Sequence, residues 1–422
     1  MEGPRRRRLG ALVVLVWLGV VANLTLRPID QVSTSAPCLI CGQFGGVDFI
    51  LNVLMFLPVG VGLGLAGAGW RAAVAAGFLV SGVIEALQWQ IIPGRDASLG
   101  DLLSNTTGAI AGGVLVPGAA ALWRARDRSA FRMAIPVAAL SSVLAITLAF
   151  LLAPAPPAGP QVAQWAAPRP GFDSLPGVLR QAALNGHSLR GGDTLPLPVV
   201  RHPEALTAVV AVVDAHRGST RRKAFVVAAA NSSEEEAFFL GQWGDALVFR
   251  ASQYASRLRL RPVMVRLKQA FGTSQTPATV TLEARADRRS ITLARGDGPG
   301  VSVPRTIGLA WTLLLPWDVP VDGSLGFLNA MCLAVIVLPT AFLSGRASLG
   351  SVGRTATARA IGPVALVTLA IGLAPFLSGG AATSVLEWFG AGLGGAFGIV
   401  AGRLTSPRAD LLPIAEPDRF RA

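Results

Sequence analysis

Eight apolar runs punctuate the chain, near residues 9–26, 47–68, 71–90, 101–123, 132–152, 323–343, 360–378 and 383–402. Each is long enough to cross a bilayer as a helix, the conformation that satisfies its own backbone hydrogen bonds in hydrocarbon. Between the fifth and sixth runs the period changes. Short β-like runs at 206–215, 223–230, 237–241, 245–250, 260–267, 278–284, 289–294 and 306–315 are broken by Gly, Asp, Ser and Arg. Closely spaced runs of that kind predict a β-sandwich. The pattern predicts an α-helical polytopic membrane protein of about eight transmembrane helices with an inserted all-β sandwich domain. Its divisions are a five-helix domain over 1–152, the sandwich over 153–320, three helices over 321–405 and a tail over 406–422. Residues 153–162 read as a Pro/Ala linker leaving the fifth helix.

Composition sharpens this. The chain of 422 residues is 52% hydrophobic and 14% charged, against about 25% charged in a soluble protein. Arginines set the orientation. Arg5–Arg8, Arg71, Arg124–Arg132, Arg346–Arg359 and Arg403 fall at alternate ends of the runs, which places both termini in the cytoplasm and 153–320 outside. A small-residue cleavage site is missing after the first run, so that run reads as an uncleaved helix. The net charge of +13 combines this signal with a basic outer domain. It has no interleaved aromatics, so nucleic acid is not an expected partner. Cys332 lies in an apolar run, while Cys38 and Cys41 form a CxxC in the first outer loop, as a disulfide or a dithiol.

A repeat is visible. Ser98-Leu-Gly-Asp101 leads to Gly108 and Gly112, and Ser384-Val-Leu-Glu387 leads to Gly394 and Gly398 at the same offsets. Upstream, Phe49–Asn52 has a partial echo in Gly326–Asn329. Runs six to eight then read as a degenerate parallel copy of runs two to four, with Ala391 at the place of Asn105 and nothing like Glu85 or Gln88. Chance is the competing account, because glycine-rich membrane helices share small-xxx-small spacing.

The candidate chemistry is polar groups inside these runs. Asp48 and Asn52 lie on the second, Ser81, Glu85 and Gln88 on the third, Asp101 and Asn105 on the fourth, with Arg95 in the loop between. Their spacings put each set on one helix face. At ~1.5 Å rise per residue, Asn52, Glu85 and Asn105 are expected roughly 6–8 Å below the outer interface. Ionisable groups there are costly and face a bundle interior or a cavity. Glu85 is the candidate general acid or base. Asp48, Glu85 and Asp101 together suit a divalent cation, and Asn52, Gln88 and Asn105 suit sugar or peptide groups. A purely structural reading stands beside this: Asp48 and Asp101 complement helix dipoles, Ser98 caps a helix, and amides knit membrane helices together. His187, His202 and His216 lack metal-ligand spacing, and neither a Ser-His-Asp arrangement nor a phosphate-binding loop is present.

The run Asp48-Phe-Ile-Leu-Asn52 with Pro58-Val-Gly60, then SGVIEALQW at 81–89, then Arg95-x-x-Ser98-x-x-Asp101-x-x-x-Asn105-x-x-Gly108 resembles the VanZ-like family, whose namesake is a teicoplanin-resistance protein. The resemblance implies a bacterial inner-membrane envelope protein that influences glycopeptide susceptibility. The segment EEEAFFLGQWGDALVFR at 234–250, with the pair at 278–294, resembles laminin-G or concanavalin-A-like sandwiches. That implies glycan or protein binding, sometimes with calcium, for which Asn231, Glu234–Glu236 and Asp245 are the candidates. The main expectation is an outer-leaflet pocket for a cell-wall or lipid-linked ligand, in contact with membrane lipids and without a resident cofactor. Alternatives are an intramembrane hydrolase or transferase working through Glu85, and a small-solute transporter.

Overall fold

The computed structural model describes residues 3–28, 42–93, 98–125, 127–157, 159–165, 171–195, 207–215, 220–231, 235–271, 278–296, 298–349 and 353–405. Cys38, Cys41, Arg95, His202, His216 and Glu234 lie outside the described residues. Among the described residues, eight helices are long and apolar enough to cross a membrane: α1 (Gly3–Thr25), α2 (Gly45–Ala66), α3 (Trp70–Gln90), α4 (Leu99–Arg124), α5 (Asp127–Leu151), α6 (Gly326–Ala347), α7 (Arg354–Ser378) and α8 (Val385–Leu404). With the inserted β domain they make a multi-pass membrane protein. α5 and α7 start earlier than their apolar runs, at Asp127 and Arg354. Hydropathy reports contact with lipid, whereas the helix ends where its hydrogen-bond ladder ends.

Glycines dictate the packing. α2 and α4 approach until backbone touches backbone: a Cβ on Gly108 would collide with the Val53 carbonyl, and one on Gly112 with the Leu57 carbonyl. α6 and α8 do the same, Gly394 against the Ala334 carbonyl and Gly398 against Leu338 and Phe342. The two pairs share one register. α2 and α6 each run 22 residues, begin at Gly45 and Gly326, and carry Pro58 and Pro339 at equal distance from the start. Ser98 and Ser384 each accept a bond from the backbone N–H three residues on. This contact register aligns Asn329 with Asp48, one helical turn away from the Asn52 of the sequence echo. The middle helices differ: α3 packs chiefly on α4, whereas α7 packs on α5 and α6 and barely meets α8.

The insert is two six-stranded antiparallel sheets. Its strands are β1 (Gln161–Trp165), β2 (Gly177–Leu184), β3 (His187–Leu189), β4 (Thr194–Leu195), β5 (Thr207–Ala215), β6 (Thr220–Ala230), β7 (Glu236–Gly244), β8 (Ala246–Ala251), β9 (Met264–Leu267), β10 (Ala278–Ala286), β11 (Ser290–Arg295) and β12 (Val301–Pro304). The orders are β4-β1-β6-β7-β8-β9 and β12-β11-β10-β5-β2-β3. β5 and β10 alternate buried and open positions, as a strand with one covered face must. β6 is buried on both faces over its second half, because Phe172 and Trp243 cover Phe225 and Phe239 from outside.

The sandwich is seated on the helices rather than hung from them. One apolar core runs from Val226, Leu240 and Leu282 between the sheets to Val47 of α2, Leu152 after α5 and Leu309 and Leu313. The last two belong to Ile307–Leu314, which is a 3-10 helix and not the expected strand. A short apolar run does not distinguish strand from buried helix by period alone. The expected linker is also packed: Ala155 N–H bonds the Ser252 carbonyl at 3.2 Å, and the Ser252 hydroxyl donates to the Ala155 carbonyl. At the opposite end of the bundle Arg346, wholly buried, donates from Nε to the Ala125 carbonyl at 2.9 Å and from Nη2 to the Trp123 carbonyl at 2.5 Å. A further bond to the Thr405 carbonyl, at 3.3 Å, ties the ends of α4, α6 and α8 together.

Where the chain leaves the sandwich for α6, Asp318 meets Lys223, Arg261 at 3.1 Å and Arg250 at 3.5 Å. Burial raises its pKa, but Arg250 and Lys223 outweigh that and hold the carboxyl below the usual range. A depressed folded-state pKa contributes stability that is complete above the unfolded value of about 4 and lost as pH falls through the folded value. Thermal unfolding followed by tryptophan fluorescence should therefore weaken on acidification below about pH 4. Asp318→Asn should be less stable at pH 7 and show a shallower acid decline; an unchanged decline would refute this role.

Candidate functional site

The polar residues of α3 and α4 meet at the sandwich-side end of the bundle. α4 carries Asp101, Asn105, Gly108 and Gly112 on one stripe, so the glycines that press this stripe on α2 also fix the two polar residues above them. α3 comes close because Gly77 lies against Thr106 and Ala109. Ser81, wholly buried, receives a bond from Asn105 Nδ2 at 2.9 Å and its hydroxyl lies 3.4 Å from the Asp101 carbonyl. Asn105 is 2% exposed, yet its Oδ1 has no donor among the described residues. A buried acceptor without a partner is costly and marks a place where a polar group from elsewhere is welcome.

Glu85 is half-buried, and its Oε2 accepts the Ser98 backbone N–H at 2.7 Å. Ser98 in turn accepts from Asp101 N–H at 3.2 Å. Glu85 thus takes the place that the third helical residue fills in a capping box. α8 shows the ordinary form: Glu387 Oε2 accepts its own Ser384 N–H at 2.8 Å while Ser384 accepts from Glu387 N–H at 3.3 Å. In α4 the task has passed to the neighbouring helix, which leaves Asp101 out of the box. Asp101 stands on the first turn of α4. Glu85 thus engages a fixed backbone donor through Oε2.

Gln88 belongs to a different contact. Gln88 is buried and donates to the Thr25 carbonyl of α1 at 3.0 Å, away from the α3–α4 contact. Asp48 stands exposed on the first turn of α2, and Asn52 is half-buried one turn below it. Arg95 is outside the described residues. Among the described residues, no three His, Cys, Asp or Glu side chains converge to hold a metal ion. Sequence reading missed Ser104, buried beside Asn105 with its hydroxyl on the Asp101 carbonyl at 3.2 Å. Its place on the stripe side that faces the bundle was the available signal.

Two cavities lie outside the helices. One of about 320 Å³ at the foot of the sandwich is lined by Phe44, Glu235, Glu236, Arg257 and Arg259. The other, of about 420 Å³, opens at the β7–β8 hairpin between Trp243, Asp245, Lys268 and Gln269. Glu236 is committed to Arg250 through two bonds of 2.7 Å, and Glu235 accepts from Asn231 at 2.9 Å. Glu235 and Glu236 are therefore committed within the sheet, to the β6–β7 connection and to β8.

The capping exchange makes a clean test. Glu85→Gln keeps an oxygen for the Ser98 N–H, whereas Glu85→Ala orphans that donor, at about 1–3 kcal/mol. Thermal unfolding should show Glu85→Ala well below wild type and Glu85→Gln close to it; equal losses would argue against the cap. Residues 7–124, which span α1–α4 and every described candidate of the polar cluster, match the model of the family described as VanZ/LLP1. No curated protein and no solved structure matches the chain.

Proposed function

We propose that α1–α4 form the ligand-binding unit of a bacterial envelope protein. Its polar cluster receives a cell-wall or lipid-linked ligand in the outer leaflet and thereby influences susceptibility to teicoplanin-type glycopeptides. The observation that carries this reading is the Oδ1 of Asn105, which has no donor among the described residues and is buried beside Ser81 within the segment that matches VanZ/LLP1. Arginine placement supports the orientation. Arg71, Arg124, Arg346 and Arg354 lie at helix ends remote from the sandwich. The cytoplasm is then on that side, with both termini, and the sandwich is outside.

The test compares growth under teicoplanin-type drugs for wild type, Asp101→Asn and Asn105→Ala at equal protein levels in the membrane. A change of at least fourfold in the inhibitory concentration is expected for both variants. Wild-type behaviour in both, with the protein present and folded, sinks the reading.

The sandwich belongs in this reading as a glycan-binding module of the laminin-G or concanavalin-A-like kind. The recess at Trp243 supports it: an indole for a sugar face, with Asp245, Lys268 and Gln269 around it for hydroxyls. Retention on isolated cell-wall glycan should fall about tenfold in Trp243→Ala. Equal retention, or retention that survives removal of all sugar from the matrix, would assign the recess to packing.

A further inference from the structure

The cavity of about 320 Å³ at the foot of the sandwich is open to the surface and lies where the chain enters α2 and leaves α5. Phe44 and Pro157 belong to those two crossings, and Ser256, Arg257, Arg259 and Leu260 form the wall beside them. One backbone contact gives its depth in the bilayer. Gly46, on the first turn of α2, meets the Leu258 carbonyl so closely that a Cβ would collide with it. α2 has 22 residues, which at ~1.5 Å per residue is ~33 Å, against about 30 Å of hydrocarbon. Its first turn therefore stands where acyl chains give way to headgroups, and Leu258 rests on that turn. The outward side chains suit the level: Tyr254 and Leu258 are exposed, an amphipathic ring and an apolar group at a lipid–water boundary.

The charges on the cavity are unequal in their commitments. Arg257 is exposed on the rim, with its guanidinium 4.9 Å from the centre of the Tyr254 ring. Among the described residues no hydrogen bond or ion pair engages it. Arg259 already donates to the Gly42 carbonyl at 3.4 Å. Glu236 is spent on Arg250 through two bonds of 2.7 Å. The Glu235 carboxylate accepts from the Asn231 amide at 2.9 Å, a neutral partner that leaves its negative charge on the wall. The cavity thus offers one unpaired guanidinium at headgroup depth, which favours a single negative charge, and a carboxylate that opposes a second.

We infer that this cavity holds the headgroup of a phospholipid from the sandwich-side leaflet, with its phosphodiester on Arg257. The planar guanidinium presents a fork of N–H donors to the two non-bridging oxygens. The headgroup lies in the cavity against Ser256 and Leu260, and the acyl chains stay in the bilayer. A volume of about 320 Å³ is at the lower end of small-molecule pockets, enough for a headgroup and too little for its chains. The bound lipid fastens the foot of the sandwich to the membrane at the point where α2 begins. This site is separate from the polar cluster of α3 and α4 and stands without it.

The experiment titrates the full chain in detergent with lipids of equal acyl chains and reads each bound lipid by native mass spectrometry. The probes are phosphatidylglycerol, phosphatidic acid and a galactosyl diacylglycerol that lacks phosphate. A phosphatidylglycerol with a diazirine on its headgroup maps the site in nanodiscs. Labelling is expected at residues 42–44 and 252–262, and the galactolipid should bind at least tenfold more weakly than phosphatidylglycerol. Arg257→Ala should lower phosphatidylglycerol affinity about tenfold, the worth of a hydrogen bond to a charged group, and Arg257→Lys should recover most of it. Glu235→Gln keeps an oxygen for Asn231 and should raise affinity for phosphatidic acid, a phosphomonoester, while leaving phosphatidylglycerol unchanged. Equal binding of the galactolipid, an indifferent Arg257→Ala, or labelling confined to other residues overturns the inference. Equal affinity for soluble glycerophosphoglycerol overturns the membrane as the source. Arg257 and Glu235 are exposed, and unchanged unfolding temperatures of the variants separate lost binding from lost fold.

Discussion

Close backbone approach between α2 and α4, and between α6 and α8, is the constraint on which the other features depend. Without a hydrophobic drive between helices in lipid, association relies on packing area and close contact, and only residues without a side chain permit it at Gly108, Gly112, Gly394 and Gly398. A methyl at any of these would force the helices apart, at about 1–3 kcal/mol each. The approach also fixes rotation about each helix axis. That rotation carries Asp101 and Asn105 toward α2, and Glu387 toward the segment that enters from the sandwich. Chemistry and packing are thus set by one stripe of residues.

Much of the architecture was legible because the bilayer imposes length and polarity on each span. All eight helices overlap the apolar runs, and strands from Thr207 to Arg295 follow the alternating segments. What the pattern hides is equally physical. β1, β3 and β4 are short, and the alternation of β2 is broken by a bulge between Leu179 and Gln181. Ile307–Leu314 is apolar over most of its surface because all but Trp311 and Leu314 are buried, and such enclosure erases the period that separates helix from strand. The Pro/Ala segment after α5 has the composition of a spacer, yet its carbonyls and amides pair with Ser252. Composition reports what a chain can do alone, not what a neighbouring edge offers it.

The polar cluster was legible as a set of residues and not as a set of roles. Ser81, Asn105, Glu85 and Asp101 do gather at one level, since helical spacing and a short α3–α4 connection leave few alternatives. Gln88 belongs to a different contact because Thr25 ends α1, where the last carbonyls have no intrahelical donor. The role of Glu85 was hidden because its partner is a backbone amide, which every residue possesses and no side-chain motif announces. The letter match and the packing register differ by one turn: Asn52 and Asn329 match by letter, whereas Gly45 with Gly326 and Pro58 with Pro339 match by geometry.

A carrier must let its halves tilt, so that a central chamber faces first one compartment and then the other. Here the guanidinium of Arg346 rivets three helix ends at one face, and a continuous apolar seam bolts the β layers across the other. Tilting about either face would tear out the fastening at the opposite one. Such a body is braced at both faces, like a bridge truss.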